Sequence, residues 1–521
     1  MTSEPKKVER RTFLNYAIAV VATGVVVGAA TYLALPKEAA EKTVTSTVTT
    51  TVERTVTSTV TSGTQTTVAP SEKIEDFLAK VSGPYRGQTV RIIAESTASS
   101  MWLNETKRAK FEEITGIKIE YELLGWDDVM RKALLDAQQK AGAYDLYYID
   151  ESEIMAADFE NGYILDWYKF ANEHKDLLWP HYDVGDLIPV RYFTYNGMLA
   201  GFPFEHFLRL YVYRRDLFED PKEKAAFKAK YGWDLRPATT WDEYRQIAEF
   251  FTRPDEDLYG HVCQPNPMSL PCDIFQGLAG YGITSYGYTL GRRASYKNGG
   301  LLDSVGAVAW LKRYIDLLKF GPKGIENFTW DDEGASYTTG RIAQGWLWTE
   351  NFSYIQDPEK SKVAGNILCS IPPVEPKYWR FYVPTIYADA GVYAIAASGN
   401  HKEAAFLWGQ YATSQEMQVE QMKALRGVCT RNSLLWSPLA DELDAKYKMN
   451  IYAMMRRAWT EGLLMGQHVP MAEEPVARDI LWKLVVDAIA GKTTPESALS
   501  EAAAAIDEKW KSMGWPDLKG Y

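Results

Sequence analysis

Six stretches of this chain supply aromatic rings, carboxylates or both. The densest is Trp346-Leu347-Trp348-Thr349-Glu350-Asn351. Trp102, Trp126 and the pair Asp150-Glu151 each follow a short β-rich run, Glu205 lies between Pro203 and Tyr211, and Tyr387 and Asp389 precede Gly391. Rings offer flat apolar faces, while carboxylates and amides serve as hydrogen-bonding edges. Together they suit a solute with C–H faces bordered by hydroxyls, held in a mostly apolar pocket with a few placed polar groups. Each residue also has a packing alternative. With 17 Trp in the chain, a lone Trp is as much a core residue as a platform. Asp150 could cap the helix that follows it. Trp241, directly after Thr240, reads as the staple of a capped helix. Glu350 and Asp389 are the pair that could instead hydrolyse a glycosidic bond, which needs carboxyls about 5–5.5 Å or about 6.5–9.5 Å apart. No G-x-S-x-G or H-E-x-x-H accompanies them.

These residues sit at the ends of recognisable elements. Thr89–Glu95 is a β-rich run and Trp102–Phe111 a helix that Gly116 stops. Ile117–Leu124 alternates as a second strand, Asp127–Ala141 is helical and Tyr144–Ile149 is a third strand. Strands separated by helices of this length predict an α/β protein with a parallel sheet covered by helices. Such sheets bind ligands beyond the carboxyl ends of their strands, which here means the loops after Glu95, Leu124 and Ile149.

The 521 residues carry 57 basic and 68 acidic side chains, a net charge of −11, without the basic stripe of a nucleic-acid binder. Four Cys are too few for a disulfide scaffold, and six His leave little room for a multi-histidine metal centre; no cofactor is called for. Cys263 and Cys272 flank a Pro-rich loop and are either a local disulfide or two buried thiols. Asn104, Asn327 and Asn351 head glycosylation sequons, and at Asn351 a glycan and a ligand contact would exclude each other.

The N-terminal region points to a surface location. Lys6, Lys7, Arg10 and Arg11 precede an apolar run, Phe13–Leu35, long enough to cross a bilayer, with the charge bias that leaves the rest of the chain outside. Arg10-Arg11-Thr12-Phe13-Leu14 resembles a twin-arginine export signal, and Ala34-Leu35-Pro36 is a poor cleavage site, which favours a retained anchor. From Glu41 to Pro70 the chain is Thr/Ser-rich, with Thr43–Thr49 repeated at Thr55–Thr61, and reads as an extended stalk. Residues 1–36 are thus expected to be a signal or anchor and 37–70 a stalk.

Read in order, several phrases resemble those of carbohydrate-type (family 1) extracellular solute-binding proteins. They are Phe111-Glu-Glu-Ile-Thr-Gly-Ile-Lys-Ile119, Tyr144-Asp-Leu-Tyr-Tyr-Ile-Asp150 with Asn161–Leu165, and Asn196-Gly-Met-Leu-Ala-Gly-Phe-Pro203 with Tyr211–Phe218. Thr240-Trp241-Asp242-Glu243, Gly340–Ala343, Gly391–Ile395, His401–Ala405 and Gly491 through Leu499 continue the series. Anchored stalks of this kind resemble archaeal surface-bound forms. The resemblance implies a two-lobed periplasmic-binding-protein-like fold (type II), with lobes joined by crossover strands around a ligand cleft. It implies one lobe of 85–206 plus 377–435 and a second of 207–376 plus 436–521, with Glu205 and Asp389 near the crossovers. It also implies a sugar or oligosaccharide ligand, an ABC permease as partner and no catalysis; peptides and other small solutes remain alternatives. The chain has no G-x-x-x-x-G-K-[ST] of its own, so it would be receptor and not motor.

Overall fold

The computed structural model describes residues 72–514, apart from 268, 284–293, 296–299, 379–384, 467–471 and 473. The expected anchor and stalk, residues 1–70, lie outside the described residues. The described residues from Glu72 onward form one compact unit.

Twelve strands are found among the described residues: β1 (Thr89–Glu95), β2 (Lys118–Leu124), β3 (Leu146–Ile149), β4 (Thr194–Tyr195), β5 (Met198–Leu199), β6 (Gly201–Pro203), β7 (Phe207–Arg214), β8 (Gln344–Trp348), β9 (Ile367–Ser370), β10 (Ile386–Asp389), β11 (Val392–Ile395) and β12 (Leu464–Gly466). They build two five-stranded sheets and a small β4–β5 hairpin. The first sheet has the order β2-β1-β3-β11-β6; the second has β12-β10-β7-β8, with β9 also paired to β7.

β1, β2 and β3 pair in parallel, as the sequence pattern predicts. The sheet as a whole is mixed, because β11 runs antiparallel to both β3 and β6. The reason is topological. β11 enters from the other sheet, straight after β10, so it starts at the edge where β1 and β3 end. The chain passes between the sheets at Phe204–His206 and again at Ala390–Gly391.

Local rules explain the elements. Gly116 ends the helix Arg108–Thr115 with φ +70°, a left-handed conformation that glycine adopts without penalty. Thr240 caps the helix Trp241–Phe251 in a capping box with Glu243, and Trp241 is buried beneath it. Each sheet has its own core. Residues 74–204 and 390–417 supply the apolar side chains around the first. On the second sheet alternation sorts the side chains: Phe207, Tyr211, Trp346, Trp348 and Tyr387 face one helical layer, and Leu208, Leu210, Leu347, Ile386 and Ala388 face the other.

Candidate ligand-binding cleft

The ends of four strands meet in one cleft. β1 ends at Glu95 and Asp150 follows β3, both from the first sheet. β8 ends at Trp348, with Glu350 just after it, and β10 ends at Asp389. Phe207 opens β7, which runs antiparallel to β8 and β10, so its first residue falls at the same edge. Trp126 heads the helix Trp126–Gln139 and Trp330 the helix Trp330–Thr338; Ser269 and Cys272 complete the wall with Glu151. The cleft leaves about 510 Å³ of empty space, part of it open to solvent.

The polar groups are held from behind. Trp126 Nε1 donates to both Asp150 oxygens at 2.9 Å. Arg478 Nη1 contacts Glu151 Oε2 at 2.8 Å and Glu153 Oε1 at 2.6 Å. Glu205 is buried within the first crossover, where Thr97 Oγ1 donates to its Oε2 at 2.9 Å. Trp348 is fixed by a chain of bonds inside the second lobe. Its Nε1 donates to Gln264 Oε1 at 3.1 Å, and the Gln264 N–H donates to Asp273 Oδ2 at 2.9 Å. Asp273 in turn pairs with the fully buried Arg209 at 2.5 Å, which also pairs with Glu333 at 2.9 Å.

Carboxylates crowded in a dry cleft resist ionisation. Burial raises the Asp150 carboxyl to about 7; the Glu151 charge adds to the shift and the Trp126 indole opposes it. Burial, then the charges of Asp331 and Asp150, raises Glu350 to about 8. Glu95, Glu205 and Asp389 are also pushed well above the usual carboxylate range, by burial first and then by neighbouring carboxylates.

Of the residues singled out from sequence, Trp126, Asp150, Glu151, Trp348, Glu350 and Asp389 line the cleft. Five others do not. Trp102 packs in the first core, with Lys107 Nζ 4.6 Å from its ring centre. Trp346 lies two residues deeper along β8 than Trp348, tilted against Tyr211 and Trp241 in the second core. Tyr387 stands in the same relation to Asp389 and is fully buried. Glu205 lies inside the first crossover, bonded to Thr97 and away from the cleft lining. Asn351 is 2% exposed, which leaves no room for a glycan, and its Nδ2 donates to Trp330 O. Asp150 bonds to Trp126 and does not cap the next helix, whose N-cap is Glu151. Cys263 and Cys272 are separate buried thiols with no bridge between them, so the disulfide alternative is corrected. Sequence reasoning missed Glu95, Phe207, Ser269, Cys272 and Trp330. Glu95 carried a usable signal as the last residue of a strand; Trp330 carried one as the first residue of a helix capped by Thr329.

Two mixed α/β lobes, crossed by the chain at strand ends and lined there by rings and carboxylates, define a two-lobed binding protein. The chain belongs to the bacterial extracellular solute-binding protein family, whose sequence model matches residues 108–446. It is 24% identical over 459 residues to a probable amino-acid ABC transporter periplasmic-binding protein of Sinorhizobium fredii, covering 85% of this chain and 94% of the relative. Its fold is shared with a ribitol-bound ABC transporter solute-binding protein of Agrobacterium radiobacter K84 (TM-score 0.68, 24% identity, 81% of this chain and 99% of that one). The D-mannitol-bound protein of Agrobacterium vitis S4 (0.67, 20%, 82% and 100%) and maltose-bound MalE3 of T. maritima (0.66, 19%, 81% and 99%) share it as well.

Proposed function

We propose that this protein is the extracellular receptor of an ABC import system, capturing a sugar or oligosaccharide between its lobes and delivering it to a membrane permease. The observation that carries this reading is the convergence of β1 and β3 from one sheet with β8 and β10 from the other on a single cleft walled by Trp126, Trp330, Trp348 and Phe207. A solute seated there touches both lobes, so its binding energy favours the closed arrangement over an open one. The ribitol, mannitol and maltose bound by proteins of this fold support the polyhydroxylated class. The amino-acid designation of the curated relative fits less well. A free α-carboxylate calls for a cation, and among the described lining residues there is no Lys, Arg or His.

On this reading the carboxylates bind and do not hydrolyse. Phe13–Leu35 holds the receptor at the outer face of the cytoplasmic membrane, and the Thr-rich stretch spaces it from the surface.

A thermal-shift screen against mono- and oligosaccharides, short peptides and polyamines tests the proposal. Ligand at a hundred times its Kd stabilises the native state by about 2.7 kcal/mol, well within detection. A shift with one sugar class and no product formed is the expected result. Hydrolysis products would replace the receptor with an enzyme, and shifts with peptides alone would overturn the ligand class.

A further inference from the structure

We propose that the solute held in this cleft carries a protonated amine, making it an amino sugar and not a neutral one. This inference rests on the receptor reading and adds the charge of the ligand to it.

The argument starts from what is present and what is missing in the wall. Five carboxylates line the cleft: Glu95, Asp150, Glu151, Glu350 and Asp389. Among the described residues only Glu151 has a basic partner, Arg478. The Asp150 oxygens receive a neutral indole N–H. Asp389 is 7% exposed; its Oδ1 accepts the Ala390 N–H at 2.8 Å, and its Oδ2 accepts no hydrogen bond from the described residues. Nor does any described residue donate to the Glu350 carboxylate. Glu205 below the floor and Asp331 beside Glu350 crowd the site with further carboxyl groups.

A desolvated charge without a partner costs several kcal/mol. Hydroxyls of a neutral sugar can donate to a carboxylate but cannot offset its charge. An ammonium does both, and the ring faces of Trp126, Trp330 and Trp348 attract a cation that approaches within about 6 Å. The same wall repels a ligand carboxylate. Burial raises the Asp150 and Glu350 carboxyls to about 7 and about 8, so both hold protons at pH 7 that an arriving ammonium displaces. Binding of the cation therefore releases protons to solvent. A neutral sugar accepting hydrogen bonds from protonated carboxyls releases none.

Calorimetric titration of the full chain at pH 7, in buffers of differing ionisation enthalpy, separates these cases. The probes are glucosamine and its β-1,4 oligomers, their N-acetylated forms, glucose oligomers and spermidine. The expected result is at least tenfold tighter binding of amine-bearing sugars than of their acetylated forms, with proton release. Glu350→Gln should reduce both the protons released and the amine preference, and Asp389→Asn serves if that variant does not fold. Spermidine binding with proton release, without any sugar binding, keeps the amine and overturns the sugar. Equal binding of acetylated and free amines, or binding without proton release, overturns the inference and leaves the receptor reading standing. Failure of every probe to bind overturns both.

Discussion

Arg478 Nη1 lies 2.8 Å from Glu151 Oε2 and 2.6 Å from Glu153 Oε1, so one guanidinium on the helix Glu474–Ile489 of the second lobe secures the start of the helix Ser152–Asn161 of the first. Glu474 adds a third negative charge to the cluster. Replacing Arg478 by Gln leaves buried carboxylates without their cation and should cost about 3–5 kcal/mol at neutral pH. Urea unfolding measures it. The loss should shrink at pH 5, because burial and the Glu151 charge already raise the Glu153 carboxyl well above its usual range. An equal loss at both pH values would show that the bond holds the lobes by shape and not by charge.

The ligand-free protein should lose stability as pH rises from about 4 to about 8. Asp150 and Glu350 start from ordinary values of 3.8 and 4.5 and are raised by burial to about 7 and about 8. Between those limits the native state binds more protons than the unfolded state, and stability then falls with increasing pH. Glu350→Gln should flatten the slope. Melting temperatures at pH 5, 6, 7 and 8 give the sign directly.

Trp346 and Trp348 are two residues apart on β8 and should respond in opposite ways to truncation. Trp348→Ala should weaken ligand binding about thirtyfold, or about 2 kcal/mol, as loss of a buried aromatic anchor does. Trp346→Ala should destabilise the fold by about 3–5 kcal/mol, as loss of a core Trp does. Paired melting and binding curves on the two variants check the division.

Gly391 allows Glu205 to sit beneath the second crossing. A Cβ added there would lie 2.3 Å from Glu205 Oε1 and 2.7 Å from Tyr148 Cε2. Gly391→Ala should cost about 1–3 kcal/mol by overpacking and displace Glu205 from Thr97. A crystal structure of the variant shows the displacement.

Much of the first lobe could be read from sequence. Thr89–Glu95 is the strand expected there, and the neighbouring elements fall within a few residues of their predicted ends, because alternation and glycine stops are local signals. The antiparallel course of β11 could not be read, since it depends on a crossing from the other lobe. Trp126, Asp150 and Glu350 could be placed because the carboxyl ends of strands are where such folds open. Cys272 and Phe207 carried no comparable mark.

The resemblance to solute-binding proteins implied two lobes; the sequence by itself determined the α/β class, the strand ends where a site must form, and a supply of rings and carboxylates there. Those follow from patterns a few residues long. Tertiary structure alone decided which members of each pair face the ligand. Trp346 and Trp348, like Tyr387 and Asp389, share a face of one strand, so periodicity cannot separate them; what separates them is the depth at which the second core stops and the cleft begins. It also decided that Glu151 is neutralised by Arg478, 327 residues away in the chain, while Asp150 beside it is not. A charge partner at that separation exists only once the lobes have come together.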